Sequence, residues 1–403
     1  MRRRAVVWGS VCVFLVCAPL LSGCWDRLEI EERGTVLGIA VDPVQDQMGV
    51  ESITGPHVKG SANGFIVSAQ IAIPGRIPLG PAIGGGAGAA VKPVWILSAR
   101  GKTLDDAMNR LQEDLADKLF LGQMRLVIVN QDIAATTGVL SDILDYLRRH
   151  AETRRMLWLI ISKNRAKDAL KAAPKLERVP TLYLVGMMDH SVSLGKIPDV
   201  FFGNYWGADS SSGRDPLLPL ISVRKNRIDM EGMAIFRGHT MIGSLNPLEI
   251  ASYMELANQQ IGGYAFSIPM PGDPENSVVL KTLLRRGKTL LKKNGGRPEF
   301  TIYTTIDCSI EEMTSVNGHL SGRLMEQLSL EAARIKLHGQ QRLIKKLQRL
   351  HTDIIGLGEV VRGEYPAYWE HIQTRERWHE AFATVPVHFV VRVNVTRSGL
   401  TTH

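Results

Sequence analysis

The sequence predicts a mixed α/β (α+β) protein in which several sheet-centred domains carry flanking helices. In the first half, strand-like apolar runs alternate three times with amphipathic helical segments, a pattern typical of helices packed on a mixed sheet. In the second half, several strand-like runs precede one long helical segment. The chain has 403 residues, of which 44% are hydrophobic and 22% charged, so it is long enough for two or three domains and is not a disordered chain.

The first half begins with two apolar runs, 34–42 and 65–73, that predict strands. A third predicted strand at 94–99 leads into a helix, because apolar residues follow helical spacing through 104–119 and Thr103 offers a side-chain N-cap. The next two strand–helix pairs consist of strands at 124–130 and 156–162 and helices at 139–149 and near 165–171. Together these pairs predict helices lying against one mixed sheet.

The second half is predicted to begin after a linker at 196–227, where glycine, serine and proline dominate. A hairpin at 232–243 follows, and then a helix at 247–257 with Asn246 as its N-cap. The remaining predicted elements are strands at 266–268, 278–284, 300–306 and 385–395, and one long helix at 320–350. Gly339 lies inside that long helix and is a candidate break.

The first 23 residues predict a cleaved lipoprotein signal peptide. Three arginines at 2–4 precede seventeen residues, 5–21, that carry no charged side chain. The junction Leu21-Ser22-Gly23-Cys24 resembles the lipobox of bacterial lipoproteins, and this resemblance implies that Cys24 receives a diacylglyceryl group and becomes the first residue of the mature protein. An uncleaved anchor helix is the alternative, since seventeen residues lie at the lower edge of the roughly 17–25 that span a bilayer.

The cysteines argue against a disulfide framework. Cys12 and Cys17 lie in the signal peptide and Cys24 is predicted to be acylated, so Cys308 has no disulfide partner. Cys308 lies in a strand-like run and is predicted to be a small buried residue rather than a reactive thiol. The predicted domain division is a signal peptide at 1–23, an N-terminal domain at 24–195, a linker at 196–227 and a C-terminal domain at 228–403.

Three stretches carry a resemblance to a known family. The first runs from Cys24-Trp25-Asp26-Arg27-Leu28 into the strand-like residues 34–42, and the second is the hairpin that begins Glu231-Gly232-Met233-Ala234-Ile235-Phe236. The third joins Asp353-Ile354-Ile355-Gly356-Leu357-Gly358-Glu359 to a closing strand at 391–395. Together they resemble the Ger(x)C family, the lipoprotein C subunits of the nutrient germinant receptors of spore-forming bacteria, over nearly the whole mature chain.

This resemblance implies a lipid-anchored accessory subunit on the outer face of the spore inner membrane. Its implied partners are the two integral-membrane A and B subunits of the receptor, together with membrane lipid held through Cys24. The implied role is receptor assembly and signalling for spore germination, without catalysis and without a cofactor. A solute-binding lipoprotein of an ABC-type transporter is the alternative, but it requires two similar α/β lobes around a cleft, and the two halves of this sequence differ.

Several short motifs do not support an enzyme or a metal protein. Two Gly-Lys-Thr tripeptides, at 101–103 and 287–289, lack the glycine five positions earlier that a phosphate-binding loop requires. The run Met188-Asp189-His190-Ser191 has the composition of a catalytic triad, but neighbouring residues point in different directions. His379-Glu380 lacks the second histidine of a zinc protease. No catalytic, metal-binding or cofactor-binding residue is therefore predicted.

Two basic runs leave two interpretations open. One run contains Arg285, Arg286, Lys288, Lys292, Lys293 and Arg297, and the other contains Arg334, Lys336, Arg342, Lys345, Lys346 and Arg349. Solvated faces of a hairpin and of a helix are the default interpretation. The alternative is contact with anionic lipid headgroups or with an acidic loop of a partner protein. Nucleic acid is not an expected partner, since the chain is predicted to be exported and lacks interleaved aromatic residues.

Overall fold

The computed structural model describes residues 32–44, 64–73, 92–172, 177–225, 227–259, 262–263, 265–314 and 321–396. The predicted signal peptide and the predicted lipidation site, Cys24, lie outside these residues. Within the described ranges, no helix is both long enough and apolar enough to cross a membrane.

A large mixed sheet forms the first half and extends into the second. Among the described residues its nine strands are β1 (Arg33–Pro43), β2 (Phe65–Ala72), β3 (Val94–Gly101), β4 (Lys118–Phe120), β5 (Leu126–Asn130), β6 (Trp158–Ser162), β7 (Leu217–Arg224), β8 (Arg227–Arg237) and β9 (Thr240–Leu245). The order is β3-β2-β1-β5-β6-β7-β8-β9, with β4 paired to β1. The pairs β1–β5, β5–β6 and β6–β7 are parallel, as the strand–helix alternation predicts, whereas both edges of the sheet are antiparallel.

Seven helices accompany this sheet in the described ranges: α1 (Leu104–Glu113), α2 (Gln131–Ala135), α3 (Val139–Arg149), α4 (Ala166–Ala169), α5 (Pro180–Ser193), α6 (Phe202–Ser210) and α7 (Pro247–Leu256). Both predicted N-caps are confirmed. Thr103 Oγ1 accepts the Asp106 N–H at 3.1 Å, and Asn246 Oδ1 accepts the Glu249 N–H at 3.0 Å. These bonds satisfy backbone donors that a helix start leaves without a partner.

The second sheet has four strands in the order β10-β11-β12-β13. Its elements are β10 (Ala265–Met270), β11 (Asp273–Asn294), β12 (Arg297–Met313) and β13 (Val387–Thr396), with the helices α8 (Gly322–Arg349), α9 (Leu357–Glu364), α10 (Pro366–Ile372) and α11 (Arg375–Phe382) between β12 and β13. Strand β13 pairs parallel to β12, which the long helical crossover allows. The predicted mixed α/β class with flanking helices is confirmed, and the described residues form two sheets.

The cores explain why the two halves pack together. One apolar cluster combines residues of the large sheet, such as Leu126 and Ile160, with residues of the second half, such as Phe300, Leu347 and Trp378. A second cluster packs α1 and α3 on the opposite face of the large sheet, and a third lies between the far end of the small sheet and the start of α8. The first cluster therefore joins the halves by apolar burial.

The segment 196–227 differs from the linker expected from its composition. It contains helix α6 and strand β7, and the first six residues of β7 are buried. Strand β7 lies between β6 and β8 in the large sheet. The buried side chains come from the apolar run Leu217-Leu218-Pro219-Leu220-Ile221. This run is short, so the glycine- and serine-rich composition of the whole segment still indicated a linker. The domain division at 195 and 228 stays a prediction.

Gly339 does not break the long helix, contrary to expectation, because α8 continues through it to Arg349. The glycine lies where α8 crosses α7, and a Cβ atom there would lie 2.8 Å from Ser252 Oγ. The missing side chain thus permits close approach of the two helices rather than marking a helix end.

Candidate functional site

A buried cluster of polar groups lies where the start of β7 meets the residues that follow α8 and the helix α11. We call it the polar junction, and its members are Asp215, Thr352, Asp353, Trp378 and His379. Asp215 is 1% exposed and its Oδ2 accepts the Thr352 hydroxyl at 3.0 Å and the Asp353 N–H at 2.8 Å. His379 Nε2 lies 2.8 Å from the same oxygen. One carboxylate thereby holds three separate chain segments together.

Asp353 organises the turn that follows. Its carboxylate accepts the N–H groups of Gly356 and Gly358, both at 2.8 Å, and the Trp378 Nε1–H at 3.0 Å. The pKa of Asp353 is raised to about 6, mainly by burial and to a smaller extent by the negative charge of Asp215, although these three hydrogen bonds lower it. The carboxylate is fully buried, so its main effect is to fix the turn and the indole.

The two glycines of this turn serve its close packing. A Cβ atom at Gly358 would lie 2.5 Å from Trp378 Nε1 and 2.6 Å from the Gly213 carbonyl oxygen. Gly356 has a φ of +89°, a left-handed conformation that favours glycine. Glu359 Oε1 then accepts the Gly213 N–H at 3.1 Å and also the Ser211 hydroxyl. The Gly-Leu-Gly-Glu sequence thus attaches α9 to the segment ahead of β7.

A neighbouring set of charges extends the junction to the large sheet. Asp209 at the end of α6 binds Arg148 of α3 at 2.5 Å, and Asp209 Oδ1 lies 3.2 Å from His239 Nδ1 in the β8–β9 turn. Arg375 of α11 donates to the backbone carbonyl groups of Ala208, Asp209 and Ser211. Because the Asp209 side chain is only 5% exposed, these contacts connect the halves within the interior.

The polar junction contains an Asp–His pair, but its geometry does not favour catalysis. Asp215 is 1% exposed and His379 is 6% exposed, so a substrate cannot approach the imidazole without local opening. The Thr352 hydroxyl lies within hydrogen-bond distance of Asp215 and of the Phe236 carbonyl oxygen. The arrangement therefore serves packing between segments that are far apart in sequence.

The other sequence motifs have structural positions. Asp189 lies on α5 and accepts the Trp158 indole N–H at 2.9 Å. Gly101 ends β3, and the tripeptide at 287–289 lies within β11. Cys308 is fully buried in β12, and this burial raises the pKa of its thiol to about 11. A buried, protonated thiol agrees with the predicted packing role.

The two basic runs separate into buried, paired and exposed groups. In the first run, Arg285 is buried and Arg286 binds Asp307 at 2.6 Å. In the second run, Arg334 binds Glu331, whereas Lys336 is buried against Glu255 with an Nζ–Oε1 distance of 2.8 Å. Gln340 donates a further hydrogen bond to Glu255 at 2.9 Å. Lys336 is thus an internal counter-ion and not part of a solvated face.

The last turns of α8 line a concave groove against α7, which we call the basic groove. Its volume is about 900 Å³. The residues that line it are Asn246, Leu248, Glu249, Ser252, Gly339, Arg342, Lys345, Lys346, Gln348, Arg349, His351 and Ala383. Lys346 Nζ lies 2.8 Å from both Glu249 carboxylate oxygens and donates to the Ser244 carbonyl group at 2.8 Å. The other three cations, Arg342, Lys345 and Arg349, are exposed.

Sequence reasoning did not identify either feature as a site. The sequence signal for the junction is Asp353, an aspartate shortly before the Gly-x-Gly of residues 356–358, which is typical of a carboxylate that caps backbone N–H groups. The basic run contained the groove cations, but spacing alone did not separate Lys336 from Arg342.

Comparisons with known proteins define the class. Residues 26–223 match the family model described as the spore germination protein N-terminal domain, and residues 231–399 match the model described as spore germination B3/GerAC like, C-terminal. The fold is similar to the crystal structure of the GerBC protein, with a TM-score of 0.56 at 14% identity, covering 89% of this chain and 96% of that one. Both matching family models describe spore germination proteins.

Curated relatives agree over most of the chain. A Bacillus cereus protein, spore germination protein GerQC, is 24% identical over 307 residues, covering 76% of this chain and 83% of the relative. Spore germination protein KC of Bacillus subtilis (strain 168) is 20% identical and covers 96% of this chain and 95% of the relative. The chain belongs to the Ger(x)C family, as the sequence resemblance predicted.

Proposed function

We propose that this chain is the lipid-anchored accessory subunit of a spore nutrient germinant receptor, acting in receptor assembly and signalling without catalysis. The observation that carries the proposal is the extent of the family match, which begins at residue 26, two positions after Cys24, and continues to residue 399. The two family models therefore cover nearly all of the predicted mature protein.

Lipid at Cys24 is the proposed means of attachment. Buried acyl chains contribute about 0.8 kcal/mol per methylene, so a two-chain diacylglyceryl group is sufficient for stable attachment where one chain is marginal. The folded part would then lie at the outer face of the spore inner membrane, beside the integral-membrane A and B subunits that are its proposed partners.

A docking role, rather than turnover, is supported by the chemistry of the described residues. Their Asp–His pair is buried in the polar junction. Exposed charge gathers instead in the basic groove, a surface suited to binding. The alternative of a solute-binding lipoprotein is not favoured, because a nine-stranded mixed sheet and a four-stranded sheet do not form two similar lobes among the described residues.

Replacing the proposed lipid acceptor tests this function. Spores that produce Cys24→Ala in place of the native chain should lose the protein from the inner-membrane fraction and germinate slowly with nutrients. They should still respond normally to a germinant that bypasses the receptors. Cys308→Ala is the matched control, since that thiol is buried and predicted to carry no lipid.

The same spores distinguish anchoring from assembly. Solubilised wild-type protein should co-purify with the A and B subunits, and Cys24→Ala should do so only weakly. If Cys24→Ala stays in the membrane and supports full germination, the anchor proposal is wrong. If the wild-type chain never co-purifies with either membrane subunit, the assembly proposal is wrong.

A further inference from the structure

The basic groove holds charge that its own acidic residue does not neutralise. Its lining includes four cations and one carboxylate, Glu249, which already binds Lys346 at 2.8 Å. Within the described part of the chain, no carboxylate forms an ion pair with Arg342, Lys345 or Arg349. Three exposed cations therefore remain available in one concave surface.

Helix chemistry accounts for only part of this arrangement. Lys346 and Arg349 lie in the last turn of α8, where cations complement the helix dipole. Arg342 and Lys345 lie further from the helix end. The spacing of Arg342, Lys345 and Arg349 is three and then four residues, which places all three on one face of α8.

Apolar surface lies in the same groove. Leu248, near the start of α7, is 68% exposed, although large hydrophobic side chains are more often buried. Its backbone position is held by the capping box of Asn246 and Glu249, and Glu249 is held in turn by Lys346. The groove thus combines a leucine on one wall with cations on the other.

Shape decides which anionic partner fits. A lipid bilayer presents a broad surface, which would touch the rim of a concave groove of about 900 Å³ without filling it. A protein segment can instead insert one apolar side chain beside Leu248 and present carboxylates to the cations. Aliphatic anchors bordered by complementary charge are typical of segments that bind in grooves.

We propose that the basic groove binds an acidic segment of a partner protein, with carboxylates at Arg342, Lys345 and Arg349 and an apolar side chain against Leu248. The proposal depends on the groove and not on the proposed receptor role, so either can fail without the other.

Peptide binding to the full-length, detergent-solubilised protein tests it. The probe is a fluorescein-labelled peptide of glutamate and leucine, followed by anisotropy at low and high ionic strength, beside a peptide with glutamine for every glutamate. The glutamate peptide should bind, and its affinity should fall as the salt concentration rises. The glutamine peptide should not bind. Removing the groove charges in R342Q/K345Q/R349Q should lower affinity at least about tenfold. Leu248→Ser should lower it severalfold.

A matched control separates the groove from net charge. The variant R154Q/K225Q/K288Q removes three exposed cations outside the groove lining and should bind the peptide as the wild type does. Equal loss of affinity in both triple variants, or none in either, overturns the proposal. If the groove triple variant is poorly folded by circular dichroism, K345Q and Leu248→Ser decide the question alone.

Hydrogen exchange in nanodiscs tests the membrane alternative. Exchange of α7 and of the last turns of α8 should be the same in phosphatidylcholine discs as in discs that contain phosphatidylglycerol. Added glutamate peptide should slow it in both. Protection by phosphatidylglycerol that disappears in the groove triple variant would show a lipid site and overturn the proposal.

Discussion

The polar junction and the basic groove both include residues near the end of α8, and they use charge in opposite ways. In the junction, Asp215 and Asp353 are almost fully buried. Asp215 accepts hydrogen bonds from distant segments, and Asp353 accepts them from its own turn and from Trp378. In the groove, Arg342, Lys345 and Arg349 are exposed and form no ion pair with the described residues. Removing a buried charge leaves its many partners unsatisfied and destabilises the fold, whereas exposed charge without partners is available for binding.

The largest expected effect is the loss of the shared carboxylate in the junction. Asp215→Ala leaves the Thr352 hydroxyl, the Asp353 N–H and His379 without their acceptor. We expect a loss of about 3–5 kcal/mol in the free energy of unfolding, measured by urea denaturation. The groove variant Arg349→Ala should change it by less than about 0.5 kcal/mol. Similar losses of stability in both variants would contradict the distinction between buried charge in the polar junction and exposed charge in the basic groove.

Two lysines of α8 make the same comparison on one helix. Lys336→Met leaves the buried Glu255 carboxylate without its counter-ion and should cost about 3 kcal/mol. Lys345→Met changes an exposed residue and should be nearly neutral. The double variant Lys336→Met with Glu255→Gln should recover part of the loss in the same urea measurements. If the double variant recovers none of the lost stability, the broken Lys336–Glu255 contact is not the cause of the loss in Lys336→Met.

Glycine packing at the junction has a smaller predicted cost. Gly358→Ala forces a Cβ atom against the Trp378 indole and the Gly213 carbonyl group, and we expect a loss of about 2–3 kcal/mol. Gly363→Ala in the same helix has no atom within 4 Å of the new Cβ and should be neutral or slightly stabilising. Thermal unfolding of the two variants measures the difference, and a neutral Gly358→Ala would show that the turn can relax.

The smallest effect is a pH dependence of stability from Asp353. Its folded pKa, about 6, exceeds the unfolded value of 3.8, so the folded state binds a proton more readily. This group's contribution to stability therefore rises as pH falls from 7 toward 4 and is lost as pH rises through 6. Between pH 7 and 5.5 the gain should be about 1 kcal/mol.

Asp353→Asn removes the pH-dependent contribution of this residue to stability, because asparagine does not titrate. The variant will be less stable at every pH, since an amide cannot accept all three hydrogen bonds. Its free energy of unfolding, plotted against pH, should lack the rise that the wild type shows on acidification. Parallel curves for the two proteins would show that Asp353 does not titrate in this range.

Local patterns were sufficient for most elements. Apolar alternation and spacing located β5, β6, α3 and α7 closely, and the caps at Thr103 and Asn246 are confirmed because capping needs only neighbouring residues. Composition predicted a linker at 196–227, but the structure has strand β7 there. Its short apolar run becomes a strand because it pairs with β6 and β8. Helices α9 to α11 were not predicted, since they are short and depend on packing.

The sequence by itself determined the family and the α/β class, because motifs and apolar periodicity can be recognised along the chain without knowledge of its contacts. Lipidation at Cys24 stays a prediction from the sequence. Only the tertiary structure decided which charges are buried and which are free. Asp215 lies 164 residues from His379, and Lys336 lies only six residues from Arg342, yet the first two share a hydrogen bond and the last two have opposite environments. Burial and pairing depend on contacts between distant segments, which local spacing does not encode.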